Sequence, residues 1–95
     1  MGHKLHITDE AKEQLKDLES DERKLKKVRK CLGMIEVNPK HPGLNSHKYE
    51  AMKLPDGREV WESYAENNCP SAWRVFWTYG PDKGSITIVS IREHP

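Results

Sequence analysis

Six cations crowd the eight positions from Arg23 to Lys30, which read Arg-Lys-Leu-Lys-Lys-Val-Arg-Lys. A stripe like this, Lys27 and Lys30 included, can track phosphates or hold an acidic partner; its plainer reading is a solvated helix face. The chain around it is not basic, since 16 Lys and Arg stand against 15 Asp and Glu for a net charge of +1. Five histidines and two cysteines, Cys31 and Cys69, complete the set of groups suited to metal binding, proton transfer or nucleophilic attack. No C-x-x-C or H-x-x-x-H spacing occurs, so neither a metal nor another cofactor is expected. Cys69-Pro70 falls in a turn signal with no spacing that pairs it to a histidine base. There is no phosphate-cradling glycine loop and no dinucleotide fingerprint. The first seven residues, Met-Gly-His-Lys-Leu-His-Ile, carry no apolar signal segment. A cytoplasmic protein with reduced thiols is therefore expected, with Cys31 acting as a small buried hydrophobe.

These groups must be positioned by a small frame. The chain has 95 residues, 35% of them apolar and 33% charged, which fits a single domain over 1–95 with a lean core. No apolar run is long enough to span a membrane. All seven aromatics lie between Tyr49 and Tyr79, so the first half suits helices and the second suits a sheet.

His3 to Ile7 reads as a short strand with Leu5 and Ile7 on one face. Thr8 is an N-cap, and Asp9 and Glu10 place negative charge in the first helical turn. Ala11, Leu15 and Leu18 then form one apolar stripe. Ser20-Asp21 breaks this helix and caps a second over Asp21 to Val37, where Leu25, Val28, Leu32 and Ile35 repeat at helical spacing. Asn38-Pro39 ends it. Residues 39–43 form a stiff loop. Strands are expected over 46–54, 59–65, 72–79 and 85–92, separated by turns at 55–57, 66–71 and 80–84. Tight turns make neighbours antiparallel. The fold class is therefore α+β: two N-terminal helices on one face of a curved, mostly antiparallel sheet of four to five strands. With little chain left to cover the other face, that face is expected to stay open.

In this order the residues resemble the RelE/ParE superfamily of toxins from type II toxin–antitoxin systems. Four segments carry the resemblance. They are the strand running into Thr-Asp-Glu-Ala-Lys-Glu-Gln-Leu (8–15) and the basic helix ending at Asn38-Pro39 before His41-Pro42-Gly43 and Ser46-His47-Lys48-Tyr49. They are also Ala72-Trp73-Arg74-Val75-Phe76-Trp77, similar to the family's aromatic-Arg-Val-x-aromatic strand, and a last Ile-Thr-Ile-Val strand ending in His94-Pro95. The resemblance covers nearly the whole chain and is most specific in the Trp-Arg-Val-Phe-Trp strand.

The resemblance implies metal-free, ribosome-dependent cleavage of messenger RNA and neutralisation by a cognate antitoxin protein. Such cleavage uses the 2′-hydroxyl as nucleophile, so it needs a base beside that hydroxyl, a fixed cation for the phosphorane and an acid for the leaving oxygen. Arg74 matches the family's strand arginine and would be the cation. His94 matches its C-terminal histidine and would act as acid or base. Glu62 is a candidate base, and Lys48 would add a phosphate contact. Strand parity sets Arg74, Phe76 and Thr78 on one face and Trp73, Val75, Trp77 and Tyr79 on the other. Val75 and Trp77 suit the helix-packed side, so Arg74 and Phe76 are expected in the open groove, with Phe76 as a stacking surface for RNA. Lys27 and Lys30 would meet ribosomal RNA or an acidic antitoxin segment. The three tryptophans read mainly as core. RNA-cleaving relatives often carry Lys or Arg on the strand that here reads Val60-Trp61-Glu62-Ser63-Tyr64, which has none. This departure leaves two alternatives open: a ParE-like toxin that blocks DNA gyrase, and a catalytically weak RelE-like interaction module.

Overall fold

Apolar spacing sorts the chain into two layers. The computed structural model describes residues 2–66 and 72–93. In chain order the elements are β1 (Lys4–Ile7), α1 (Asp9–Asp17), a 3₁₀ turn (Leu18–Ser20), α2 (Glu22–Val37), a second 3₁₀ turn (Pro42–Leu44), β2 (His47–Lys53), β3 (Glu59–Tyr64), β4 (Trp73–Tyr79) and β5 (Ser85–Glu93). The bounds fall within a residue or two of those read from the sequence. The turn expected at 66–71 lies, apart from Glu66, outside the described residues.

The five strands form one sheet in the order β1-β5-β4-β3-β2. β1 runs parallel to β5 and every other pair is antiparallel. The helices start where side chains satisfy their free amides. Thr8 accepts from the Ala11 N–H at 3.1 Å, and Asp21 accepts from the Lys24 N–H at 3.2 Å. α1 packs on β5 and α2 on β4. Between the layers lie Ala11, Leu18, Val28, Cys31, Ile35, Val75, Trp77, Ile86, Ile88 and Ile91. Val75 and Trp77 thus take the helix side, as parity indicates.

One irregularity decides which side chains share the other face. Strict alternation in β5 would set Ile86, Ile88 and Ser90 on one side and leave Ile91 on the other. Instead Phe76 pairs with Ser90 while Trp77 pairs with Ile88, so Val89 is an extra residue in β5. This bulge resets the parity and returns Ile91 to the core. It also turns Ser90 and Arg92 toward the helix-free face, opposite Phe76 and Arg74. Thr8 anchors the bulge, its hydroxyl donating to the Val89 carbonyl at 2.8 Å.

Candidate functional site

The helix-free face carries a polar and aromatic lattice built from four strands. The cross-strand pairs are His47 with Glu62, Glu62 with Phe76, Tyr64 with Arg74, Arg74 with Arg92, and Phe76 with Ser90. Three of the expected site residues, Glu62, Arg74 and Phe76, therefore meet. They do not line an open groove. Glu62, Phe76 and Ser90 are fully buried, and Arg74 is only 8% exposed. A sheet with no third layer covers its outer face with its own long side chains, and that overturns the expectation of an open face.

Arg74 lies on the expected side, but its guanidinium is occupied. Nη1 donates to the Glu66 carbonyl at 2.6 Å and to the Trp73 carbonyl at 3.3 Å. Its Cζ sits 3.7 Å over the Tyr64 ring, and Nε lies 3.9 Å from Glu62 Oε2. The cross-strand tyrosine, the Glu66 carbonyl just past β3 and the Trp73 carbonyl at the start of β4 fold this side chain down onto the sheet. Phe76 is likewise covered, by the edge of Tyr49 at 4.9 Å and by Arg92, whose Cζ is 5.0 Å over its ring. It offers no free surface on which a base could stack.

Glu62 is held between the His47 ring and the Arg74 guanidinium. Its Oε1 is 2.7 Å from His47 Nε2, and its Oε2 faces Arg74. The other ring nitrogen of His47 lies 3.0 Å from the Asn45 carbonyl, and the ring meets Tyr64 edge-on at 5.7 Å. A general base must reach the proton it removes. A fully buried carboxylate whose oxygens already face His47 and Arg74 is a structural counter-charge instead. His47 itself is half exposed.

Arg92 is the residue that sequence reasoning missed. It stands directly opposite Arg74, and its buried Nε finds no hydrogen-bond partner among the described residues. Two guanidiniums on neighbouring strands repel unless an anion joins them. With Arg74 occupied, the partly exposed Arg92, stacked on Phe76, is the guanidinium of the pair suited to an oxyanion such as a phosphodiester. The signal was present in the spacing Ile86, Ile88, Ile91, which breaks strand alternation and implies a bulge.

Lys48, Lys27 and Lys30 are not brought to this face. Lys48 pairs opposite Trp61, whose ring packs against the helix-side core, and its ammonium meets Glu59 at 2.9 Å. The hydrogen bond and charge of Glu59 hold the Lys48 ammonium above its ordinary range. Lys27 Nζ is 3.6 Å from Glu66 Oε2, and Lys24 donates to Glu66 Oε1 at 3.1 Å. Burial alone would push the Glu66 carboxyl up, but the Lys24 and Trp73 hydrogen bonds and the charges of Lys24 and Lys27 together hold it below its ordinary range. Lys30 is exposed on α2. His94 and Cys69 lie outside the described residues. Cys31 is buried, and burial pushes its thiol pKa up to about 12. Among the described residues no three His, Cys, Asp or Glu side chains gather as metal ligands, and no helix is long and apolar enough to cross a membrane.

Solved structures share this fold of two helices on one side of a β1-β5-β4-β3-β2 sheet along nearly the whole chain. RelE from the RelE-RelB complex of Pyrococcus horikoshii superposes with a TM-score of 0.70 at 12% identity, over 98% of this chain and 96% of that one. The YoeB dimer from Staphylococcus aureus gives 0.68 at 20% identity, over 100% of each chain. A YoeB/ParE toxin from Agrobacterium tumefaciens gives 0.72 at 13% identity, over 97% and 99%. No protein-family model and no curated protein matches the sequence.

Proposed function

We infer that this chain is the toxin of a type II toxin–antitoxin pair, that it acts on messenger RNA in the ribosome, and that a cognate antitoxin protein neutralises it. The observation that carries this reading is the whole-length likeness to both RelE and YoeB folds. The helix-free face supports the RNA-directed form of it. Arg92 would contact the scissile phosphate and stabilise the charge that develops when the 2′-hydroxyl attacks phosphorus. Arg74, held by carbonyls and by Tyr64, would add fixed positive charge from beneath. His94, two residues beyond Arg92, remains the proposed proton-transfer group. Glu62 positions His47 and Arg74 and takes no proton from substrate.

The test is induced expression in cells lacking the antitoxin, with growth and messenger-RNA cleavage followed by primer extension. Wild type should arrest growth and cut translated messages. Arg92→Ala should lower cleavage about 100-fold, the usual cost of losing one donor to a developing oxyanion. Undiminished cleavage by Arg92→Ala would remove the assigned phosphate contact. The neighbouring reading frame should encode a small protein with a DNA-binding half and an amphipathic tail, and co-expressing it should restore growth.

One observation favours a second reading. Glu62 is fully buried and Arg74 is largely occupied by carbonyls, so a toxin that works by binding alone, such as one that blocks gyrase, needs no rearrangement of this face. Growth arrest with intact messages and inhibited DNA supercoiling would select it.

A further inference from the structure

On the helix side of the sheet, beyond the end of α2, lies a groove that the chemistry above does not use. Its floor is a cluster of three rings. Trp61 stacks on Trp77 at 5.9 Å with planes 17° apart, and Tyr79 meets them edge-on at 6.3 and 5.0 Å. Trp77 is buried, but Trp61 is only partly so and Tyr79 is 39% exposed. The loop from Pro39 to Ser46 forms the wall, and no residue of α1 or α2 lines the groove.

Its charge is as distinctive as its rings. The lining contains Lys40, His41, Asn45 and Ser46 and no carboxylate, in a chain with 15 acidic residues. The groove at the β2 edge, by contrast, is lined by Glu50 and Glu59, and those between the helices by Glu19 and Glu22. An aromatic floor beside a cation, with hydrogen-bonding groups and no acid, is what a single-stranded nucleic acid requires, because each base offers a π-face and each linkage a negative charge. A protein segment would gain equally from the rings, and only an acidic one would also favour the missing carboxylates.

We propose that this groove binds a nucleobase of single-stranded RNA, stacked against Tyr79 and Trp61 with its phosphate toward Lys40. The site lies across the sheet from Arg74 and Arg92. It would therefore hold a nucleotide of the message away from the scissile bond. This rests on the RNA-directed reading above and adds an anchoring contact to it.

The test titrates the full chain with an unstructured RNA of about ten nucleotides, followed by tryptophan emission and by anisotropy of the labelled strand. Wild type should bind with quenched emission. Tyr79→Ala should weaken binding about tenfold, Tyr79→Phe should retain it, and Lys40→Glu should weaken it while flattening its salt dependence. Tyr79 and Lys40 are exposed, and near-ultraviolet circular dichroism confirms that their variants fold. Wild-type affinity in both Tyr79→Ala and Lys40→Glu overturns the groove; if messages are still cut under those conditions, the toxin reading stands without it. Unchanged RNA binding with lost antitoxin neutralisation also overturns it, assigning the groove to a protein partner. A wild-type chain that binds no RNA overturns the groove, while the RNA-directed reading falls only if translated messages also stay intact, which leaves supercoiling as the assay that remains.

Discussion

Glu62 shows how far one residue's role depends on its surroundings. In the sequence it is a carboxylate where a cation was expected, and so a candidate base. In the structure it is a fully buried counter-charge between His47 and Arg74, on a face that also carries Arg92. Removing one member of a buried ionic set leaves the others uncompensated, at a cost of about 3 kcal/mol. Glu62→Gln should therefore lower the urea-unfolding free energy by about that amount. His47→Ala, at a half-exposed site, should cost about 1 kcal/mol. A Glu62→Gln protein as stable as wild type would show that the carboxylate is not holding the lattice, and would reopen its role as a base. Cys31 is the opposite case, a group that burial withdraws from chemistry. With its pKa pushed up to about 12, almost no thiolate exists near neutral pH. In a Cys69→Ser background, Cys31 should resist thiol-labelling reagents in the native state and react at once in denaturant. Rapid native labelling would contradict the burial.

At the scale of elements, the bulge in β5 is the piece on which the site's composition turns. Thr8 serves it twice, as N-cap of α1 and as donor to the Val89 carbonyl. Thr8→Ala removes both contacts and should destabilise the chain by about 2 kcal/mol, whereas Thr8→Ser should keep most of the stability. Equal loss in both variants would trace the effect to the missing methyl group instead. This element also marks where the sequence stops being readable. The helices were legible because capping and 3.6-residue spacing are local, and the side taken by Val75 and Trp77 followed from a strand period of two. The burial of Arg74 was not legible, since it depends on the carbonyl of Glu66 and the ring of Tyr64, which reach it only once β3 and β4 pair. His47 meeting Glu62 likewise depends on the β2–β3 register, which no local signal sets. Glu66 ties a second pair of elements, drawing Lys24 and Lys27 of α2 to the end of β3. Its folded carboxyl is held below the ordinary 4.5, so the unfolded chain binds more protons than the folded one in mild acid. The stability it contributes is complete above that value and is lost as pH falls through the lower folded pKa. Glu66→Gln should cost about 1 kcal/mol at neutral pH and make the acid limb of the stability curve shallower. An unchanged acid limb would mean that Glu66 is not what couples α2 to the hairpin.

At the scale of the whole molecule, charge is balanced in sum and divided in space. The net charge is +1, although six cations sit within eight residues of α2. Glu66 already draws on Lys24 and Lys27, and Glu19 just before α2 and Glu22 at its start share a groove with Lys26 and Arg29. Viewed from a distance the molecule therefore presents little field, and long-range steering of a polyanion should be weak. On the proposed RNA-directed reading, affinity would come instead from short-range contacts on the two sides of the sheet, with Arg92 and Arg74 on one and Lys40 beside the rings on the other. These two origins separate in a salt titration. A single strand contributes a slope of about −0.7 for each phosphate neutralised, so engagement through these few cations should give a log–log slope of about −2. The association rate should change little over the same salt range. If the α2 stripe were instead the main RNA contact, the slope would be about −4 and charge reversal at Lys26 and Lys30 would abolish binding. With the shallow slope, that reversal should leave RNA affinity nearly intact while Arg92→Ala lowers it. The basic helix would then remain available to an acidic segment of the antitoxin, so that target and inhibitor need not compete for the same charges.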